Sequence, residues 1–217
     1  QKWQHFLKAR PSFLTESYLQ PKFPLLTTDD NVFLNGAVCA TKSIAQAVGS
    51  LNEGEALIGN DLIIAYRSPY EVVDPKNELK LISFIEPFTV IRRVWDIYGE
   101  NGAQIKADFE AITHNRTSQP IDDPYTYCYA PHQIFVEEGA NIRASVLNAQ
   151  NGPIYIGKNA EIMEGSVVRG SLALCEGSKI NMGSKIYGAT TIGPHSKVGG
   201  EVNNIIITGF TNKGHEG

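Results

Sequence analysis

The chain has 217 residues, of which 42% are hydrophobic, and a formal net charge of −4 at neutral pH. This balance gives no reason to expect nucleic acid or an anionic membrane surface as a partner. No apolar run approaches the ~20 residues of a membrane-spanning helix. Three scattered cysteines without a CxxC pair indicate buried thiols in a reducing compartment, so we expect a cytoplasmic protein. The length of the chain allows one or two domains.

Residues 1–115 mix predicted helices with predicted strands. Apolar residues between positions 44 and 51 have helical spacing, and the glycines at 49 and 54 mark the end of that helix. Two apolar runs flank Gly-Asn-Asp at 59–61, which predicts a hairpin. The other predicted elements are a helix at 3–7, strands at 31–35 and 79–85, and a helix pair within 90–112. This mixture indicates a partial, Rossmann-like α/β domain.

Residues 113–129 are rich in Asn, Ser, Pro and Asp, and prolines at 120, 124 and 131 interrupt regular structure. We place the domain boundary near residue 120, which gives domains 1–120 and 121–217. The first domain opens without the strand and glycine-rich turn with which an open α/β sheet holds phosphates. The second ends without a terminal cap. We therefore expect either a fragment of a longer protein or terminal residues missing from the sequence.

The C-terminal part repeats every six residues. Small residues occupy most positions two before each aliphatic one, and glycines supply corners. This period predicts a parallel β-helix of hexapeptide repeats, in which three hexads form a triangular coil of about 18 residues. Residues 156–209 then give three coils, and residues 148–153 shift the frame by two residues as a small loop. The aliphatic positions are Ile156, Ile162, Val168, Leu174, Ile180, Ile186, Ile192 and Val198.

Polar residues of the last coil are the candidates for chemistry, because the aliphatic positions form the core. With 18 residues in each coil, Lys185 lies beside Asn203 and His195 lies beside Lys213. His215 follows the repeat in a polar segment, and an imidazole can remove a proton from a hydroxyl or amine. Spacing alone favours an exposed corner residue for His195 and a tail residue for His215. The candidates are Lys185, Tyr187, His195, Lys197, Glu201, Asn203, Asn204, Lys213 and His215.

The stretch 184–215, with Gly-Glu-Val at 200–202 and Gly-His at 214–215, resembles the acetyltransferase half of a bifunctional family. That family is the N-acetylglucosamine-1-phosphate uridyltransferase/glucosamine-1-phosphate acetyltransferases. The resemblance implies a left-handed β-helix, acetyl-CoA as acyl donor and His215 as catalytic base. Lys185 stands where the family has a phosphate-holding Arg, and Asn203 where bacterial members have a Lys. Asn204 and Lys213 are further substrate-binding candidates.

The front domain resembles nucleotidyltransferase-like proteins of the Bacteroidetes type. The resemblance lies in Val-Trp-Asp-Ile-Tyr at 94–98, in Asn101 and in Ile-Lys-Ala-Asp-Phe at 105–109. It implies a sugar phosphate and a nucleoside triphosphate as substrates, with Mg²⁺ as cofactor of active members. Their metal-binding strand ends in Gly-Asp, whereas the comparable strand 32–36 has no Asp, and an amide binds Mg²⁺ more weakly. We therefore interpret Asn35 and Asp61 as structural turn residues. We expect the front domain to catalyse little nucleotidyl transfer and hence to release little pyrophosphate.

These observations favour a two-domain sugar-nucleotide transferase, with nucleotidyl transfer in front and acyl transfer behind. The alternative is a non-catalytic scaffold or regulatory relative on the same fold, which the missing carboxylate favours and His215 disfavours. A zinc enzyme of the carbonic anhydrase type needs three converging imidazoles. His132, His195 and His215 fall in different frames, so no metal ligands are predicted. The flat faces of a triangular prism predict a homotrimer.

Overall fold

The computed structural model describes residues 2–215. The chain divides into two compact units, the first ending at Arg92 and the second beginning at Arg93. The first is an α/β unit, and the second combines two helices with a stack of parallel strands that begins at Tyr127. The predicted fold class, an α/β part followed by a parallel β-helix, is confirmed. The left-handed sense of that helix stays a prediction.

The first unit contains one four-stranded sheet and three helices. Its elements are α1 (Lys2–Leu7), β1 (Asn31–Leu34), α2 (Lys42–Gly49), β2 (Glu55–Gly59), β3 (Leu62–Ser68), α3 (Pro75–Glu78) and β4 (Lys80–Ser83). The strand order is β1-β3-β2-β4, and only the β2–β4 pair is parallel. The predicted helices α1 and α2, the β2–β3 hairpin and the strands β1 and β4 are confirmed.

An apolar stripe on α2 builds the core of this unit. Ile44, Ala45 and Val48 are buried, and the Thr41 hydroxyl accepts a hydrogen bond from the Ile44 N–H at 3.2 Å. This bond satisfies one of the amide groups that a helix start leaves unpaired. Apolar residues of β2, β3 and α1 pack on the same stripe, so the core lies between α2 and the two central strands.

The second unit begins with α4 (Val94–Gly99) and α5 (Asn101–Thr113), and continues into a solenoid of about five turns. The first solenoid sheet consists of β5 (Tyr127–Tyr129), β8 (Val146–Asn148), β11 (Val167–Arg169), β14 (Lys185–Tyr187) and β17 (Glu201–Asn203). The second consists of β6 (Ile134–Val136), β9 (Ile154–Ile156), β12 (Leu172–Leu174), β15 (Thr190–Ile192) and β18 (Ile206–Ile207). The third consists of β7 (Asn141–Ile142), β10 (Glu161–Ile162), β13 (Lys179–Ile180), β16 (Lys197–Val198) and β19 (Asn212–Lys213). A short 3₁₀ turn, Pro131–Gln133, precedes β6.

The six-residue period corresponds to the inward face of every coil. All eight aliphatic residues predicted as core are at most 1% exposed. In the third sheet, Ile162, Ile180 and Val198 are successive partners in parallel strands, so their side chains stack along the solenoid axis. Burying aliphatic side chains against the equivalent side chains of adjacent coils is the main favourable contribution to such a stack. The predicted core of the β-helix is confirmed.

Serines at the small-residue positions also connect successive coils. The buried Ser178 hydroxyl donates to the carbonyl oxygen of Gly193 at 2.7 Å and accepts from the N–H of Ser196 at 3.2 Å. The Ser166 hydroxyl makes an equivalent bond to the carbonyl oxygen of Asn181 at 3.0 Å. Buried polar groups need such partners. The second component of the repeat therefore encodes hydrogen bonds at the corners as well as small size.

Coil length changes along the solenoid, and the strand register changes with it. Partners in β6 and β9 are 20 residues apart, which agrees with the two-residue frame shift predicted at 148–153. Partners in β10 and β13 are 18 residues apart, whereas partners in β16 and β19 are only 15 apart. Neighbours in the last coil that were predicted from an 18-residue spacing are therefore displaced.

α5 packs against β15 through a buried polar contact. Asn101 is 6% exposed, its side-chain amide donates to the carbonyl oxygen of Ala189 at 2.9 Å, and its oxygen accepts from the Thr191 hydroxyl at 2.8 Å. A Cβ atom on Gly102 would lie 3.2 Å from the Cβ of Ala189, so the helix approaches the corner closely. The first turn of α5 is thus fixed on the solenoid.

Two predictions from composition concern membranes and thiols. Among residues 2–215, no helix is both long and apolar enough to cross a membrane. Among residues 2–215, Cys39, Cys128 and Cys175 form no disulfide, and each is partly exposed, whereas the sequence predicted buried thiols. Cys128 packs at the margin of the solenoid core, and Cys39 and Cys175 belong to neither core cluster, so none of the three is fully buried.

Candidate functional site

His215 lies along an open groove on the solenoid with a volume of about 560 Å³. Backbone forms much of the wall, because four of the lining residues are glycines. A Cβ atom on Gly199 would lie 2.3 Å from the carbonyl oxygen of Gly214, so only glycine fits there. Lys197 brings an ammonium group to the same groove as the imidazole. The lining residues are Met163, Asn181, Met182, Gly183, Lys197, Gly199, Gly200, Gly214 and His215.

Two side chains position the segment that carries His215. The Asn181 amide donates to the carbonyl oxygen of Gly214 at 2.8 Å, while its own oxygen is buried and has no hydrogen-bond partner within residues 2–215. The Lys213 ammonium donates to the carbonyl oxygens of Gly199 and His215, both at 2.9 Å. Lys213 pairs with Val198, a core position of the solenoid. These contacts tie the end of the described chain to the coil below it.

Lys213 was predicted to bind substrate, and the structure uses its ammonium for backbone contacts instead. No aliphatic residue occupies the core position in β19, so the alkyl stem of Lys213 continues the inward stack while its charged end reaches two carbonyl groups. A substrate contact by Lys213 stays a prediction.

The predicted pairing of Lys185 with Asn203 is wrong. Lys185 lies opposite Glu201, and Asn203 lies opposite Tyr187. The cause is the shortened last coil, whose aliphatic positions follow at four and five residues instead of six. The Tyr187 hydroxyl donates to the Glu201 carboxylate, and this hydrogen bond raises the pKa of the Tyr187 hydroxyl. Lys185 therefore stands beside a carboxylate, and its role in holding phosphate stays a prediction.

Asn204 serves the backbone at a corner. Asn204 has a positive φ of 50°, and its side-chain oxygen accepts a hydrogen bond from the Ala189 N–H at 3.0 Å. Asparagine tolerates this left-handed conformation better than most residues, because its short side chain can bond nearby backbone groups. The neighbouring Asn203 is exposed at the end of β17. Substrate contacts by Asn203 and Asn204 stay predictions.

The predicted pairing of His195 with Lys213 is also wrong. The His195 ring packs on the Phe210 ring, with 5.2 Å between ring centroids, because the last coil brings Phe210 to that corner. Within residues 2–215, no group of three or more His, Cys, Asp or Glu side chains is arranged to hold a metal ion. His195 thus contributes to the packing of a corner.

Asn35 and Asp61 have the structural roles predicted for them. The Asn35 amide donates to the carbonyl oxygen of Ile63, and its oxygen accepts from the Ala37 N–H, both at 3.0 Å. Asp61 occupies the β2–β3 turn with a φ of 60° and pairs with Lys76 at 2.7 Å. With its oxygen already bonded and no carboxylate beside it on this strand, the end of β1 does not fit Mg²⁺.

The first half of the chain also decides the family. The profile of the sugar nucleotidyl transferase family matches residues 1–117, more than half of the sequence. The chain belongs to the sugar nucleotidyl transferase family. No curated protein matches the sequence. Membership confirms the predicted nucleotidyltransferase-like domain, and it implies a sugar phosphate and a nucleotide as substrates.

The matched segment extends beyond the first compact unit. It includes α4 and α5, which belong to the second unit and whose start is fixed on the solenoid by Asn101. The family match therefore does not end with the four-stranded sheet of the first unit, but includes the two helices that precede the solenoid. The family of residues 1–117 indicates a transferase, while the bifunctional family suggested by residues 184–215 stays a proposal.

A second groove, which no sequence pattern predicted, lies between α5 and the solenoid. Lys106 and Arg169 both line it, although neither was a candidate. Residues from α5 and from solenoid strands and corners that follow much later in the chain, between positions 151 and 189, form its walls, and no local pattern connects them. Asn101 was noted only as part of the resemblance to nucleotidyltransferase-like proteins. Its polar side chain at the start of a predicted helix was the one sequence feature that could have indicated this contact.

Proposed function

We propose that this chain is a sugar-nucleotide transferase whose solenoid transfers an acetyl group from acetyl-CoA to an amine or hydroxyl of a sugar phosphate. The observation that carries the proposal is the groove that His215 and Lys197 both line. It lies on the solenoid of a chain that belongs to the sugar nucleotidyl transferase family. A histidine and a lysine that line one groove suit a substrate that must lose a proton and that carries phosphate.

In this proposal, His215 acts as the general base. Its imidazole accepts the proton of the sugar amine as the nitrogen attacks the thioester carbonyl, a C–N bond forms and the C–S bond breaks. The departing thiolate takes up a proton. Lys197 attracts the substrate phosphate, and the glycine walls allow the substrate to approach the backbone closely. Contacts of Lys185 and Asn203 with substrate remain part of the proposal.

The His215→Ala variant tests this proposal. General-base catalysis contributes typically about 10²–10⁴-fold, so acetyl transfer by the full chain should fall by that order while acetyl-CoA binding remains nearly unchanged. His195→Ala is the matched control, since that histidine packs on Phe210 outside the groove. Transfer rates and acetyl-CoA affinities of both variants are the measurements. Undiminished transfer in His215→Ala would refute the proposed base.

A non-catalytic scaffold or regulatory protein is the second candidate. The observation that favours it is Asn35, which stands at the strand end where active members carry a carboxylate and whose amide is committed to the turn. Incubation with sugar-1-phosphates, nucleoside triphosphates and Mg²⁺ should then release little pyrophosphate. A chain that neither releases pyrophosphate nor binds acetyl-CoA would favour this candidate over the transferase.

We also propose a homotrimer built on the solenoid. The first solenoid sheet exposes Tyr127, Tyr129 and Val167, which are 68%, 51% and 47% exposed. An exposed apolar sheet face is typical of an interface between copies, and a closed ring of three suits a triangular prism. Light scattering of the full chain at micromolar concentration should return the mass of a trimer. A monomer mass throughout that range contradicts the proposal.

A further inference from the structure

The second groove, between the start of α5 and the first and second solenoid sheets, has a volume of about 540 Å³. It shares no residue with the groove of His215. Its size falls within the range of about 300–1,000 Å³ that is usual for small-molecule sites. The lining residues are Gly102, Ala103, Lys106, Asn151, Arg169, Gly170, Ser171, Tyr187, Gly188 and Ala189.

The groove carries positive charge. Lys106 and Arg169 both line it, and neither forms an ion pair with any residue in the described range 2–215. Among the residues of the described range that line the groove, none is acidic. Two carboxylates belong to neighbours of the lining residues: Glu201 accepts the hydroxyl of Tyr187, and Glu100 directly precedes α5. Neither lines the groove, whereas both cations do, so the groove itself attracts anions.

Uncharged donors reinforce this charge. Gly102 and Ala103 lie in the first turn of α5, whose N–H groups have no partner within the helix, and the N-cap residue Glu100 makes no side-chain capping bond. The side chain of Asn101 cannot cap them either, because it is bonded to Ala189 and Thr191. Backbone donors at a helix start favour a phosphate.

Ser171 supplies an independent observation. Ser171 is only 6% exposed, and its hydroxyl makes no hydrogen bond to another residue in the described part of the chain. Its oxygen is not among the fully buried atoms without a partner, so the hydroxyl is accessible from the groove that it lines and can donate to a ligand there. A phosphate oxygen in the groove accepts a hydrogen bond from this hydroxyl. The unpartnered donor thus has a use when an anion is bound.

We infer that this groove binds the phosphate group of a phosphorylated ligand, such as a nucleoside diphosphate or the phosphate of coenzyme A. Arg169 and Lys106 neutralise the charge, the first turn of α5 donates backbone N–H groups, and Ser171 donates its hydroxyl. An arginine can hold two phosphate oxygens at once, whereas a lysine acts as a point charge. The site is separate from the proposed acyl-transfer groove and does not depend on His215.

Calorimetry of the full chain with inorganic pyrophosphate tests the shared chemistry. Arg169→Gln and Lys106→Gln should each weaken binding by about tenfold, the size expected for one charge-assisted hydrogen bond. Ser171→Ala should weaken it less. Lys158→Gln is the matched control, because it removes one exposed charge next to Glu138, away from the groove. Circular dichroism of each variant verifies folding.

Further titrations distinguish the sources of the phosphate. Uridine diphosphate and coenzyme A are compared in the same variants, and the ligand whose affinity falls in Arg169→Gln is the one that uses this groove. His215→Ala should leave pyrophosphate binding intact, so failure of the acyl-transfer proposal leaves this result unaffected. Absence of pyrophosphate binding at millimolar concentration, or equal affinity in Arg169→Gln and Lys158→Gln, would overturn the inference. Loss in Lys197→Gln alone, which points to the other groove, would overturn it as well.

Discussion

Replacing Ile180 with alanine is expected to lower the free energy of unfolding of the solenoid by about 2–5 kcal/mol. Ile180 is fully buried in β13, between the equivalent positions Ile162 and Val198 of the adjacent coils. A cavity there removes contacts on both sides of the middle coil. Because a solenoid is held together only by contacts between neighbouring coils, the loss also weakens the coupling of the coils above and below.

Native-state hydrogen exchange of amides in the third solenoid sheet measures this loss, since it reports local free energies of opening in a protein of two units. Ile180→Val, which removes one methyl group, should cost about 0.5–1.5 kcal/mol. Lys158→Ala is the control, because that side chain is 55% exposed on the solenoid, and its change should stay within about 0.5 kcal/mol. Equal losses in Ile180→Ala and Lys158→Ala would show that Ile180 is not a core residue.

The inward face of the solenoid could be predicted because it depends on local sequence alone. Each strand is short, each coil repeats the same three turns, and an aliphatic residue at every sixth position must point to the same side. Ile156 through Val198 therefore fell on the axis as predicted. The serine positions were predicted only as small. In the structure their hydroxyls also donate hydrogen bonds to carbonyl groups of the next coil, as Ser178 does to Gly193. These bonds depend on the geometry of the corners, which the spacing of residues in the sequence does not specify.

The last coil could not be predicted in the same way, because its corners are shorter. Val202 and Ile207 take the core positions there, four and five residues after their predecessors. A search restricted to steps of six passes over both. The error moved Asn203 from Lys185 to Tyr187, and it moved Lys213 from the outside of the coil to a core position. Val202 and Ile207 are aliphatic, so the sequence does contain the information that identifies them as core residues. The assumption that every coil has about 18 residues prevented this prediction.

The contact between α5 and the solenoid was beyond prediction from spacing. Asn101 and Thr191 are 90 residues apart, and neither belongs to a repeat that would place it beside the other. The resemblance to nucleotidyltransferase-like proteins included Asn101, but it did not predict which residues its side chain bonds. The groove with Lys106 and Arg169 depends on this contact, so the phosphate site could be recognised only once the helix was seen in place.

Asn101→Ala is accordingly expected to destabilise the docking of α5 by about 2 kcal/mol or more. The substitution removes both hydrogen bonds and leaves the carbonyl group of Ala189 and the hydroxyl of Thr191 without their partner, and a buried polar group left unsatisfied costs about 1–3 kcal/mol. Hydrogen exchange of α5 amides measures the effect. Glu110→Ala, an exposed change on the same helix, is the control and should stay within about 0.5 kcal/mol.

Asn101→Asp separates the hydrogen bonds from simple packing through its pH dependence. At neutral pH the new carboxylate faces the carbonyl oxygen of Ala189 and cannot donate to it, whereas its protonated form can. Burial and this hydrogen bond both favour the protonated form, so they raise the pKa of the new carboxyl group in the folded state. The start of α5 favours an anion by about 0.3–1 kcal/mol, which is less than the lost bond and the desolvation together.

The sign of that dependence follows from linkage. With a folded-state pKa above the unfolded value of about 3.9, the variant keeps its docking below that pH and loses it as pH rises through the folded pKa. Asn101→Ala has no such dependence, because it introduces no titrating group. In a Thr191→Val background, Asn101→Ala should cost less than in the native chain, since one of its two partners is already absent. A pH-independent deficit in Asn101→Asp, together with additive costs in the double variant, would mean that the side chain of Asn101 only fills space.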